Sequence, residues 1–167
     1  MSFARYLALE SICLDIDLEY EIDTTGLSAR EVEKKRIETI LYDVAKLLDN
    51  TGKINNFSSL SKDLILCNRR TSCAIGCGLA IPHVRGLDTK STVMGFARCK
   101  NGVDFDAPDG EPVQLFIPMV APQYDDKAYL RIYRSIALGF QNTDVKEQLL
   151  EVEEPSEVIR IFDRYFQ

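Results

Sequence analysis

Apolar and polar positions alternate from residue 12 to residue 22, with Ile12, Leu14, Ile16, Leu18, Tyr20 and Ile22 on one side and mostly acidic residues on the other. That period of two is the signature of a half-buried strand lying near a sheet edge. The period then changes. Asp23-Thr24-Thr25-Gly26 supplies turn chemistry, and Ser28 followed by Glu31 is a capping-box pattern. Ile37, Ile40, Leu41, Val44 and Leu48 recur at helical spacing, which predicts a long helix ending before Gly52. A second helix is expected to start near Asn55 or Asn56, with Leu60, Leu64 and Cys67 on one face. Ser91 to Cys99 reads as a strand closed by a polar turn at Lys100-Asn101-Gly102, and a further turn follows at Ala107-Pro108-Asp109-Gly110. Val113 to Val120 is almost continuously apolar, the pattern of a central strand covered on both faces, in which Pro118 marks a bulge or the strand's end. Leu130, Tyr133, Ile136, Ala137 and Phe140 predict a helix over 126–140. Short helices are expected over 144–150 and, after Pro155-Ser156, through Val158, Ile159, Phe162 and Tyr165. Strands interleaved with helices predict an α/β domain whose sheet is covered on both faces.

Composition narrows this picture. At 167 residues, 46% hydrophobic and 28% charged, the chain is expected to form one domain, residues 1–167, with a sizeable core. A net charge of -6 argues against a nucleic-acid-binding surface and for an acidic face or a basic protein partner. Residues Met1 to Glu10 lack the apolar core and cleavage site of a signal peptide, and no segment approaches membrane-spanning length, so the expected location is cytoplasmic and the chain is not itself membrane-embedded. Five cysteines form no even framework and fit a reducing compartment, where most serve as small buried hydrophobes.

Candidate chemistry centres on Ala74-Ile75-Gly76-Cys77-Gly78-Leu79-Ala80-Ile81-Pro82-His83-Val84-Arg85, which contains the single histidine of the chain. Gly76 and Gly78 allow close backbone approach, and Pro82 fixes the chain just before the ring. Ile81, preceding a proline, is pushed from the helical region, so His83 is expected on an extended segment or turn. On these residues alone His83 is either a packed core histidine or a nucleophile.

The segment Ile75-Gly76-x-Gly78-x-Ala80-Ile81-Pro82-His83, followed downstream by Phe105-Asp106-Ala107-x-Asp109-x-x-Pro112-Val113, resembles the type-2 enzyme IIA domain of the bacterial phosphoenolpyruvate-dependent phosphotransferase system, the fructose/mannitol class that includes the nitrogen-type regulatory IIA proteins. The resemblance runs over essentially the whole chain and implies a mixed β-sheet flanked by helices on both faces. It implies that His83 accepts a phosphoryl group from a histidine-containing phosphocarrier protein and passes it to a IIB partner, in sugar uptake or in regulation. Such transfer needs a neutral imidazole nitrogen with its tautomer fixed, and donors around the phosphoryl oxygens. No metal or organic cofactor is required. The Gly76 and Gly78 amides could form part of the anion cradle.

Three positions depart from the family pattern. Aligned on His83, Cys67-Asn68 stands at the usual Arg-Glu pair, and Ser72-Cys73 at Ser-Thr. The arginine's task could pass to Arg69 or Arg70 if the helix end unwinds; otherwise both solvate the helix C-terminus and favour its dipole. Cys73 offers a much weaker donor than threonine. In the helix after Pro122, where many members carry a second histidine, Tyr129 or else Arg131 aligns, and a tyrosine can bond a phosphoryl oxygen without being cationic. The expected site is thus His83 with Arg69, Arg70, Ser72, Gly76, Gly78 and Tyr129 around the phosphoryl group. The alternative from another class is a regulatory binding module that contacts a kinase or transporter with weak or no phosphotransfer; a chain of this length suits either role. Cys67, Cys73 and Cys77 with His83 do not have a familiar zinc spacing, and space-filling is the simpler use of Cys73 and Cys77 than redox chemistry. Asp104, Asp106 and Asp109 read as turn residues beside Pro108 and Gly110.

Overall fold

The structure, a computed structural model, describes residues 1–16 and 22–167. Two short 3-10 turns, Phe3–Tyr6 and Leu9–Ser11, lead into strand β1 (Ile12–Cys13). The alternating run is therefore a two-residue strand at its start, and residues 17–21 lie outside the described residues. Helix α1 (Ala29–Asp49) begins at the expected box: Ser28 Oγ accepts from the Glu31 amide at 3.3 Å, and Glu31 Oε2 accepts from the Ser28 amide at 2.8 Å. Helix α2 (Phe57–Arg70) is capped by Asn56, whose Oδ1 accepts from the Ser59 amide at 3.0 Å.

Strands β2 (Ala74–Gly76), β3 (Leu79–Ala80), β4 (His83–Gly86), β5 (Val93–Met94), β6 (Phe96–Val103), β7 (Val113–Phe116) and β8 (Met119–Pro122) follow, and then α3 (Asp126–Gly139), α4 (Thr143–Glu151) and α5 (Pro155–Tyr165). Among the described residues the strands form a five-stranded sheet ordered β1-β6-β7-β3-β2 and a three-stranded sheet ordered β4-β8-β5. The two sheets are continuations of one another. The parallel pairing keeps one register from Leu79 with Leu115 to His83 with Met119, which sets Pro82 opposite Pro118 where both chains cross between sheets. The antiparallel pairing is equally unbroken, from Met94 with Met119 to Ala97 with Phe116, and Gly95 crosses between them, donating its amide to the Pro118 carbonyl at 2.9 Å. Prolines at 82 and 118 supply no ladder N–H, so the pairing opens there and the strands bend.

The apolar run from Val113 to Val120 is accordingly the middle strand of both sheets, ended and restarted at Pro118. Its side chains alternate through the bend. Leu115, Ile117, Met119 and Ala121 pack with Tyr129, Ile132, Ile136, Leu149 and Phe162 of α3, α4 and α5. Val113 and Phe116 pack with Ile40, Leu41 and Val44 of α1, and Val120 with Leu48 of α1 and Leu60 and Leu64 of α2. Helices on both faces explain why the run shows no polar side.

Two expectations are corrected. Lys100-Asn101-Gly102 is not a turn: β6 continues to Val103, and the pairing with β7 shifts between Arg98 and Val103 while Gly102 takes a left-handed φ of 73°. A bulge with a left-handed glycine has the same composition as a turn. Leu130 does not face the core; it is 57% exposed, and the buried stripe of α3 is Tyr129, Ile132, Ile136 and then Phe140. No helix among the described residues is long and apolar enough to cross a membrane.

Candidate functional site

His83 opens β4, an outer strand of the smaller sheet, directly after the Pro82 bend. Alternation along the strand turns Val84 into the core with α1 and α2, and leaves His83 and Arg85 on the opposite side, towards α3. The His83 ring is half-buried between two tyrosines of α3, its centroid 5.6 Å from that of Tyr129 and 5.0 Å from that of Tyr133. Nδ1 lies 2.6 Å from the Ile81 carbonyl oxygen. A carbonyl only accepts, so Nδ1 carries the proton and donates, and Nε2 keeps its lone pair. Burial pulls the imidazole below its ordinary pKa of 6.5, the Ile81 carbonyl opposes this, and the Arg85 cation adds to it. This tautomer and the lowered pKa leave the Nε2 lone pair free.

A cleft of about 700 Å³ stands over the ring. Leu64, Cys67 and Asn68 at the C-terminal end of α2, with Thr71 just beyond it, form one wall, and Asp126, Tyr129 and Tyr133 of α3 form the other. Ser72, Cys73, Gln123 and Arg85 complete it. Burial pushes the Tyr129 hydroxyl up to about 12, against the pull of Arg85, so it remains a neutral phenol able to donate. The Cys73 thiol is likewise pushed up to about 12 by burial and stays protonated.

The structure brings His83, Ser72 and Tyr129 of the expected site to this cleft. Ser72 Oγ already donates to the Phe105 carbonyl at 2.9 Å and accepts from the Ala74 amide at 3.2 Å. Arg69, Arg70, Gly76 and Gly78 do not line the cleft. Helix α2 does not unwind before Arg70, so Arg69 stays on its far side, where Nε and Nη2 donate to Glu38 at 2.9 and 2.6 Å, and Arg70 stays on its flank. Gly76 and Gly78 flank Cys77 in the β2–β3 turn, where the Cys77 amide donates to Asp109 Oδ2 at 2.8 Å. The Gly78 carbonyl accepts from the Gln114 and Leu115 amides at 2.9 and 3.0 Å. These glycines hold the second motif, around Asp109, against the first.

Arg85 is a cleft residue absent from the expected site. Its guanidinium carbon sits 5.0 Å from the Tyr129 ring centroid, and Nη1 donates to Asp126 Oδ1. Its signal was the spacing His83-Val84-Arg85, which on a strand puts the two side chains on one face. Asn68 was also missed; its Oδ1 accepts from the Cys73 amide at 2.9 Å and fixes the loop between α2 and β2.

The family model described as phosphoenolpyruvate-dependent sugar phosphotransferase system, EIIA 2, matches residues 25–165. A fructose-specific EIIABC component of Bacillus subtilis is 26% identical over 134 residues; the match covers 80% of this chain and 21% of that longer protein. A nitrogen regulatory protein of Pseudomonas aeruginosa is 28% identical over 129 residues, covering 77% of this chain and 84% of the relative. Among solved structures, the nitrogen regulatory protein IIA-Ntr from Neisseria meningitidis shares the fold with a TM-score of 0.78 at 24% identity, covering 95% of this chain and 97% of its own.

Proposed function

The chain belongs to the EIIA 2 family of the phosphoenolpyruvate-dependent sugar phosphotransferase system, and from that premise we propose that His83 accepts a phosphoryl group on Nε2 from a histidine-containing phosphocarrier protein in the cytoplasm. It then hands the group to a IIB domain in sugar uptake or uses it to signal to a regulatory target protein. One observation carries this reading: the bond from Nδ1 to the Ile81 carbonyl leaves Nε2 as the free nucleophile at a cleft open to a partner. In the transfer the Nε2 lone pair forms the new N–P bond as the bond to the carrier's imidazole breaks and its electron pair returns to that ring. His83 gains no proton, and the positive charge that develops on its ring is stabilised by the Ile81 carbonyl accepting from Nδ1. In this reading the Tyr129 hydroxyl donates to a phosphoryl oxygen, and Ser72 does so by turning its hydroxyl from the Phe105 carbonyl, with no metal in the scheme.

The test is incubation with phosphoenolpyruvate, enzyme I and the phosphocarrier protein, read by intact mass. An acid-labile phosphoryl adduct is expected, and His83→Ala abolishes it. No adduct on this chain, while a control IIA is labelled in the same tube, overturns the proposal. That outcome supports the second reading, a regulatory module that contacts a kinase or transporter without phosphotransfer. What favours the second reading is the α2 wall, where Cys67 and Asn68 stand in place of the family's Arg-Glu pair and bring no cation to the cleft.

A further inference from the structure

The α2 wall carries no cation, and a phosphoryl group arriving at His83 needs one. Arg69 is turned to Glu38, and the residues of α2 that face the cleft are Leu64, Cys67 and Asn68, followed by Thr71 beyond the helix end. The cation that does line the cleft comes from the strand that carries the nucleophile. Two residues along a strand, Arg85 has its Cα about 6.6 Å from that of His83 on the same face. Opposite them, α3 presents Asp126 and Tyr129 one turn apart. The two pairs interlock: His83 lies against the Tyr129 ring, and Arg85 lies over that ring while bonding to Asp126. An arginine held over an aromatic face has its fork preorganised, with N–H groups to spare for a bidentate anion.

We infer that Arg85 is the phosphoryl-binding cation of this chain and that Asp126 holds it in the free protein, to be displaced when the phosphoryl group reaches His83. The inference rests on the reading of His83 as phosphoacceptor. Asp126 carries one negative charge and is 60% exposed, whereas the phosphoryl group brings more charge and three acceptor oxygens. Arg85 is 43% exposed and tied down by one carboxylate contact and one ring, so a short swing costs little structure. Asp126, once released, remains in the first turn of α3, where the helix dipole favours it. The chain would thus have moved the site's cation from α2 to β4, and Asp126 becomes a competitor that tempers phosphorylation.

The test compares the full chain with Arg85→Ala, Arg85→Lys and Asp126→Asn in two measurements. The first is the initial rate of adduct formation with phosphoenolpyruvate, enzyme I and the phosphocarrier protein. Arg85→Ala is expected to slow it about a hundred-fold, the scale of losing one anion donor. Arg85→Lys falls between, and Asp126→Asn is faster than the unsubstituted protein. The second is an NMR titration of the imidazole, unambiguous because the chain has one histidine. Arg85→Ala should raise the His83 pKa and Asp126→Asn lower it, a charge effect that a merely structural role would not produce. An adduct in the unsubstituted protein with an unchanged rate in Arg85→Ala overturns the inference and leaves the reading of His83 standing. So does a slowed Arg85→Ala whose His83 titration does not move, or an Asp126→Asn that is slower. No adduct in the unsubstituted protein overturns both.

Discussion

Arg98 donates through Nη1 to the carbonyl of Val152 at 2.7 Å, joining the longest strand to the end of α4. The same nitrogen reaches the Leu150 and Leu149 carbonyls at 3.0 and 3.4 Å, and Nε donates to the Leu14 carbonyl at 2.8 Å. Only 3% of this arginine is exposed, yet each partner is backbone, apart from a distant contact of 3.6 Å to the exposed Asp15. The last carbonyls of a helix lack partners within it, and a cation there also meets the negative end of the dipole.

Replacing Arg98 by methionine keeps most of the volume and strips four carbonyls, two of them in buried bonds, of this donor. The expected loss is about 3–5 kcal/mol of unfolding free energy, the range for removing a buried, charge-assisted hub. Arg98→Lys should recover only part, because an ammonium cannot span Leu14 and Val152 at once. Urea unfolding of the three proteins checks this. A loss below 1 kcal/mol for the methionine variant would mean that water takes over the carbonyls.

The pH dependence follows from the sign at His83. Its folded pKa lies below the ordinary 6.5, so between the two values the unfolded chain binds more protons. Stability contributed by His83 is therefore full above 6.5, falls as the pH drops through that window, and levels off beneath the folded pKa. His83→Gln should flatten this part of a stability-against-pH curve measured by denaturant midpoints. An unchanged slope in the variant would place the titration elsewhere.

Thiol reactivity separates the cysteines. Cys67 and Cys77 are exposed, while Cys73 and Cys99 are buried and burial raises both thiol pKa values, that of Cys73 to about 12. Brief iodoacetamide treatment at pH 8 followed by peptide mass mapping should label Cys67 and Cys77 first. Cys67 lines the cleft and Cys77 does not, so the phosphoryl adduct proposed for His83 should fall in step with labelling at Cys67 alone. Protection of activity by Cys67→Ser, and none by Cys77→Ser, is the expected control.

These features were unequally legible in the sequence. The helices announced themselves through caps and period, as Ser28, Glu31 and Asn56 show, because capping is settled within a few residues. The neighbourhood of His83 was legible in part. Tyr129 and Ser72 could be aligned, but Arg85 becomes a partner only once β4 is known to be a strand and α3 to lie across it, and the rotation of α2 that turns Arg69 away is set by packing of Leu60 and Leu64. Least legible was the division of the sheet. Pro118 alone marked an interruption within Val113 to Val120, but that the whole sheet divides there depends on Pro118 meeting Pro82 and Gly95 in space, residues far apart in the chain.

That crossing point yields the last prediction. A β-carbon added at Gly95 would lie 3.0 Å from the Ser11 carbonyl oxygen, 3.1 Å from Pro118 Cγ and 3.5 Å from Leu48 Cδ2. Two of these neighbours cannot yield easily. Ser11 is fixed by its own hydroxyl, which donates to the Met94 carbonyl at 2.9 Å, and Pro118 is a ring in the middle strand. Gly95 does not need a left-handed φ, so the objection to alanine is space rather than backbone strain. Gly95→Ala should therefore destabilise by about 1–3 kcal/mol, the usual cost of overpacking, against the small gain expected from restricting a glycine in the unfolded chain. The double variant Gly95→Ala with Leu48→Ala relieves only the softest of the three contacts and adds a cavity, so it should not rescue. Thermal unfolding decides the matter: a midpoint for Gly95→Ala at or above that of the unsubstituted protein would show that the two sheets can part at the crossing without loss.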